Sequence, residues 1–185
     1  ATGSLFMTNV TNKAALSGKE RLGGFIGFAQ GFKVEDTIAF DGCVNEGRVK
    51  GIGGNGLIGG FVGFISDYNE IDVIFSNCVS HGNVNGVDDF AEEQSLGGFV
   101  GNIEKNTDIV IKFLNSTSNS LTSGNAKHTG GFVGYVSNNN NMDMDISASV
   151  NNGDVIASSY VGGYFGRIEN NKNIVMIIAN TSNNG

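Results

Sequence analysis

Apolar and polar residues alternate along this chain in short bursts separated by glycine. Ile71-x-Val73-x-Phe75, Ile109-x-Ile111-x-Phe113, Met142-x-Met144-x-Ile146 and Ile174-x-Met176-x-Ile178 each place an apolar residue at every second position, the period of a strand with one buried face. Ile38-x-Phe40 is a looser copy. A glycine-framed segment precedes each burst: Gly23-Gly-Phe-Ile-Gly, Gly59-Gly-Phe-Val-Gly, Gly97-Gly-Phe-Val-Gly, Gly130-Gly-Phe-Val-Gly and Gly162-Gly-Tyr-Phe-Gly, with starts 36, 38, 33 and 32 residues apart. A short third strand follows each burst but the last, in Gly47-Arg-Val49-Lys-Gly51, Gly82-Asn-Val84-Asn-Gly86 and Gly153-Asp-Val155-Ile-Ala157, and more loosely in Ser120-Leu-Thr122-Ser-Gly124.

The intervals separate rigid parts from variable ones. From the first anchor glycine to the alternating strand is 12 residues in four repeats and 13 in the first, and from there to the end of the third strand is 15 in each complete repeat. The remaining link is 8, 11, 6 and 5 residues long. Nearly all length variation thus falls at one corner of a coil, where only a loop can absorb it. These features predict an all-β chain, a right-handed parallel β-helix (β-solenoid) of about five rungs of 32–38 residues, with residues 1–185 as a single unit. Residues 1–22 read as a partial rung, and further rungs start near 23, 59, 97, 130 and 162. Neither end shows a polar cap of the kind solenoids need, so a longer array or end-to-end self-association is expected.

Composition sharpens this picture. Glycine contributes 29 residues and proline none, while Ile, Val and Phe are plentiful and regularly spaced, so the glycines punctuate strands and do not mark disorder. The net charge of −7, with no Lys/Arg cluster, argues against nucleic acid as a partner. Apolar runs such as Leu57–Ile65 are broken by glycine and too short to span a bilayer, and no secretory signal is visible in a chain that does not begin with Met.

Gly59-Gly-Phe-Val-Gly, Ile74-Phe-Ser-Asn77-Cys78 and Gly82-Asn-Val84-Asn-Gly86 together resemble the GLUG repeat of bacterial immunoglobulin A peptidases and large surface adhesins. The likeness spans essentially the whole chain in about five copies, with Phe where that repeat usually has Leu. It implies a β-solenoid on a secreted or surface-anchored protein. It transfers no catalytic residue, because the peptidase activity of such proteins lies in a separate zinc domain.

Asn9, Asn77, Asn115 and Asn180 share one repeat position, with Gly42 and Ala148 at its other two occurrences. Stacked rung on rung, they are expected to form a buried amide ladder at a coil corner. Asn9, Asn115 and Asn180 also begin Asn-x-Ser/Thr sequons, which an internal ladder would keep unglycosylated. Gly24, Gly60, Gly98, Gly131 and Gly163 read as close-packing positions, and Phe25, Phe61, Phe99, Phe132 and Tyr164 as the residues stacked beside them. Both parities of this segment are apolar, which leaves its inward face open and points to lateral packing against another solenoid or domain. Cys43 and Cys78 occupy a slot filled elsewhere by Val10, Ser116, Ser149 and Thr181, and read as stacked core thiols or one strained bridge.

Asp88, Asp89, Glu92 and Glu93 crowd the longest link. Their spacing fits no EF-hand or glycine-rich calcium repeat, so a solvated acidic loop is the first reading and a Ca²⁺ site the second. Asp143, Asp145, Asp72 and Lys112 alternate with the buried positions and should face outward. His81 and His128 fall at apparent turns with no Ser or Cys nucleophile pattern nearby, and are expected to face solvent. The glycine motifs lack the lysine and the strand-then-helix context of a phosphate loop. No catalytic, cofactor or metal-binding set emerges beyond the weak calcium cluster. The expected function is a non-catalytic stalk, adhesin or filament segment that contacts a protein or glycan at the variable corner, residues 52–58 and 87–95. The competing expectation is a carbohydrate-binding or polysaccharide-cleaving module using Tyr68, Tyr135 and Tyr164.

Overall fold

A computed structural model describes residues 3–31, 36–53, 55–87 and 91–185, with nothing stated of the side chains at 91 and 92. The chain coils into stacked turns in which all strand pairing is parallel and each strand pairs with its counterpart one turn away. Among the described residues the strands form five sheets, numbered in order along a turn. The first holds the alternating strands Ser4–Thr8, Asp36–Asp41, Asn69–Ser76, Thr107–Leu114, Asn140–Ser147 and Lys172–Ala179. The second and third hold short strands such as Val79–Ser80 and Val84–Asn85. Arg21–Gly23, Leu57–Gly59, Ala91–Gly97, Ala126–Gly130 and Val161–Gly162 form the fourth. After the glycine corner come Ile26–Gln30, Val62–Ser66, Val100–Glu104, Val133–Ser137 and Phe165–Glu169 in the fifth.

Two apolar cores run along the coil. The larger fills the space between the first, second and fifth sheets, and the smaller, of Val49, Ile58, Val84, Leu96 and Ala126 with Leu22, lies between the third and fourth. Phe25, Phe61, Phe99, Phe132 and Tyr164 stack through the larger core at centroid spacings of 4.8–5.5 Å. Phe40, Phe75 and Phe113 form a parallel stack at 5.1 and 4.8 Å, and the two stacks meet edge to face, as Phe61 does against Phe75 at 89°. Aromatic quadrupoles favour such contacts, so each turn is held to the next by more than buried area. Gly60 marks the waist between the cores: a side chain there would overlap the Gly98 carbonyl oxygen of the next turn and the Ser80 hydroxyl across the coil.

Buried amides and hydroxyls satisfy the corners that strand pairing leaves open. Asn106 Nδ2 donates to Asn139 Oδ1 at 2.9 Å and Asn139 Nδ2 to Asn171 Oδ1 at 2.9 Å, and the same oxygens accept the backbone N–H of Asn106 and Asn139. An inner asparagine ladder therefore runs through 106, 139 and 171, and buried Asn45 and Asn151 form like bonds with Asn12 and Asn183 one turn away. Asn9, Asn77, Asn115 and Asn180 instead project outward from a turn whose backbone is left-handed, with φ of 49–54°. Asparagine tolerates that conformation better than other residues with a side chain, which explains its recurrence there. Asn115 Nδ2 does donate to Asn77 Oδ1 at 2.8 Å, but on the surface, so the fold does not shield the three sequons.

Cys43 and Cys78 are buried free thiols. Cys78 Sγ lies 3.5 Å from the Phe40 carbonyl oxygen, as Ser116 Oγ lies 3.1 Å from that of Phe75 and Ser149 Oγ 3.0 Å from that of Phe113. Each X–H in this slot donates to the previous turn's backbone, which turns the sulfurs toward carbonyls and away from one another. Burial pushes the Cys78 thiol up to about 12.

Candidate binding furrow

The fourth and fifth sheets fold back on each other through their outer faces. Room for this comes from the last glycine of each anchor: a Cβ on Gly63 would lie 2.6 Å from the Leu22 backbone nitrogen, and one on Gly134 2.7 Å from the Leu96 oxygen. Above that side-chain-free floor, residues seven apart in sequence face one another in every turn: Arg21 and Phe28, Leu57 and Phe64, Ser95 and Asn102, His128 and Tyr135, Tyr160 and Arg167. The second apolar parity of the anchor segment is explained here. Val62 and Ile65 point into the main core, whereas Phe64 packs outside it along this furrow, so that face meets the chain's own fourth sheet.

The furrow is a zipper of flat groups. The Arg21 guanidinium lies 4.0 Å from the centroid of Phe28, which stacks on Phe64 at 5.3 Å and 9°. Farther along, His128 is sandwiched between Tyr135 at 4.2 Å and Tyr160 at 5.5 Å, and Arg167 covers Tyr160 at 4.3 Å. The Tyr135 hydroxyl donates to Glu169, which also pairs with Arg167. Burial, reinforced by the Arg167 and Lys127 charges, holds the His128 imidazole down to about 4, so it is neutral at ordinary pH. Burial first and Glu169 second raise the Tyr135 phenol.

Between these two stretches the zipper is interrupted. Ser95 and Asn102, small and buried, stand where neighbouring turns carry rings or leucine, and a cavity of about 560 Å³ opens there with Leu57, His128 and Tyr135 in its walls. Ser95 Oγ and His128 Nδ1 share a hydrogen bond of 3.2 Å, while Asn102 Oδ1 and His128 Nε2 are buried with no partner.

The sequence reading of His128 is corrected: it lies on a strand, enclosed by two tyrosines, with a serine beside it. The Ser–His contact has the elements of a nucleophile pair, but Ser95 is only 1% exposed and the imidazole is a weak base at about 4. His81 is exposed as expected and joins an outer ladder through Asn119 to Asn152. Of the three tyrosines proposed for sugar stacking, Tyr135 alone lines the furrow; Tyr68 is buried in the core and Tyr164 ends the phenylalanine stack, because their positions alternate to the inner side. Asp72 and Asp143 are exposed on the outer face of the first sheet, and Asp145 pairs in register with Lys112 there. Of the acidic link, Asp88, Asp89 and the side chain of Glu92 lie outside the described residues, and Glu93 stands exposed at the furrow mouth. Among the described residues no group of three or more His, Cys, Asp or Glu is placed to hold a metal ion, and no helix is long and apolar enough to cross a membrane. The furrow was legible only as five residue pairs at a constant spacing of seven, a signal invisible until the glycine corner is known to fold back.

Comparison of the chain with family models, with characterised proteins and with solved structures finds no match. The parallel β-solenoid is thus established from the chain's own geometry.

Proposed function

We propose that this chain is a stiff, non-catalytic adhesive segment of a secreted or surface-anchored protein, and that it holds its partner along the furrow. The observation that carries the reading is the furrow itself, which is walled by one side-chain pair per turn, opens into a cavity at its middle and leaves two buried polar atoms unpaired there. A surface built by repetition, with chemistry varied turn by turn, suits an extended partner better than a reaction centred on one bond. Stiffness follows from the two interlocked aromatic stacks and the inner amide ladder. The likeness to GLUG repeats supports the secreted or surface location. Leu57 and Ser95, from the two corner segments expected to meet partners, stand on the furrow wall, so both expectations refer to one surface.

The test is retention under flow. Beads carrying the native chain should hold to mucin-coated glass, and beads carrying Arg21→Glu with Tyr135→Ala should wash off. Equal retention of the two, or of neither, ends the adhesive reading and leaves a passive spacer.

A further inference from the structure

We propose that the interruption at Ser95 and Asn102 is a subsite for one ring of a neutral glycan, seated against the Tyr135 ring. The inference rests on reading the furrow as a binding surface and adds the class of ligand.

The geometry supplies a seat of the right kind. Asn102 lies directly beside Tyr135 in strand register, one turn away, and the imidazole of His128 stacks on the Tyr135 ring. That stack and the hydroxyl's bond to Glu169 fix the orientation of the ring in the wall of the gap. Leu57 closes the gap from the opposite direction. One layer of side chain, about 4.8 Å thick in a stack of parallel strands, is missing. A flat ring in van der Waals contact needs about 3.5–4.0 Å to each neighbour. The gap therefore takes one ring edge-on from the open side, and a chain continuing from that ring follows the furrow.

The polar atoms select hydroxyl groups. Asn102, 3% exposed, offers an unpaired Oδ1, and His128, 6% exposed, an unpaired Nε2. Natural structures rarely leave such atoms unsatisfied, and a bound group that pairs both removes the penalty. Asn102 Oδ1 requires a donor. Neutral His128 offers either a donor or an acceptor at Nε2, because the Ser95 hydroxyl on Nδ1 can rotate to suit either tautomer. A hydroxyl both donates and accepts at one atom and satisfies each case. Around the mouth stand Glu20, Glu93 and Glu104 against Arg21, Lys105 and Lys127, three charges of each sign. A carboxylate or phosphate ligand gains no net attraction there, so the ligand is uncharged. An apolar ring face beside a few convergent polar groups is the composition of a small-ligand site.

The test is an array of neutral oligosaccharides with α- and β-linked hexoses and N-acetylhexosamines, printed beside oligogalacturonate and an unglycosylated mucin peptide. The native chain should bind at least one neutral glycan and neither of the others. That glycan, titrated into ¹⁵N-labelled native chain, should shift the His128 imidazole nitrogens, and Asn102→Leu should weaken binding at least tenfold at unchanged melting temperature. The imidazole readout uses the unaltered protein, so it decides even where the variant folds poorly. A blank array, preference for oligogalacturonate or the peptide, or binding that leaves the His128 nitrogens unmoved overturns the proposal. Retention on mucin together with a blank array removes the glycan and keeps the adhesive reading; loss of both removes both.

Discussion

The imidazole of His128 lies 4.2 Å from the ring of Tyr135 and within 6° of parallel to it, although the two residues belong to different sheets. This contact helps to bury the imidazole, and burial together with the Arg167 and Lys127 charges disfavours its protonation. An unperturbed histidine titrates at about 6.5, and His128 is held down to about 4. Between those values the unfolded chain takes up a proton that the folded chain refuses.

Stability should therefore fall as pH drops from about 6.5 toward 4. The loss from this group is roughly 2 kcal/mol, once the solvent reaching the open side of the furrow is allowed for. Melting curves at pH 7, 5.5 and 4.5 check it: His128→Gln should lose less stability over this range than the native chain. Parallel declines in the two proteins would assign the acid sensitivity to carboxylates instead.

Phe61 occupies the centre of both aromatic contacts, stacked between Phe25 and Phe99 and edge-on to Phe40 and Phe75. Phe61→Ala should cost about 3–5 kcal/mol in urea unfolding. Phe6→Ala, at a position 68% exposed, should change stability by less than about 0.5 kcal/mol. A Phe61→Ala midpoint equal to the native one would remove the stack from the account of stability.

The Asn106–Asn139–Asn171 ladder and the outer Asn77–Asn115 pair should separate cleanly. Asn139→Ala strips the acceptor from the Asn106 amides and leaves a buried backbone N–H unpaired, at about 2–3 kcal/mol. Asn115→Gly, on the outer turn at φ 49°, relieves a left-handed residue and should be neutral or slightly stabilising. Thermal melts of both variants decide whether the inner ladder or the outer one holds the corners.

The thiols should be silent. With Cys78 buried and pushed up to about 12, the native chain should not react with a disulfide reagent at pH 8, and unfolding in urea should release both thiols. Cys78→Ser should fold, because Ser116 and Ser149 already fill the same slot in later turns. Rapid labelling of the folded chain would contradict the burial.

Much of the architecture can be read from the residues, because a strand's period of two and a repeated glycine anchor survive in any single copy of the turn. The alternation in Ile109-x-Ile111-x-Phe113 and the clash that Gly60 avoids are both local consequences of stacking. The site was hidden for two physical reasons. Asparagine suits both an outward left-handed turn, as at Asn77, and an inward amide ladder, as at Asn106, so residue type alone could not say which column was buried. And the apolar outer face of Phe64 looked like an invitation to another molecule, because the partner that covers it comes from the fold-back of the chain itself.

The spacing of seven within each furrow pair has a further consequence. Length changes accumulate in the link before the fourth-sheet strand, whereas the stretch from one wall to the other is invariant across all five turns. Each turn thus works as one letter of a line of text: Arg/Phe, Leu/Phe, Ser/Asn, His/Tyr, Tyr/Arg. Substitution can rewrite any letter without shifting its neighbours, and duplication of a turn lengthens the line without disturbing what is already written.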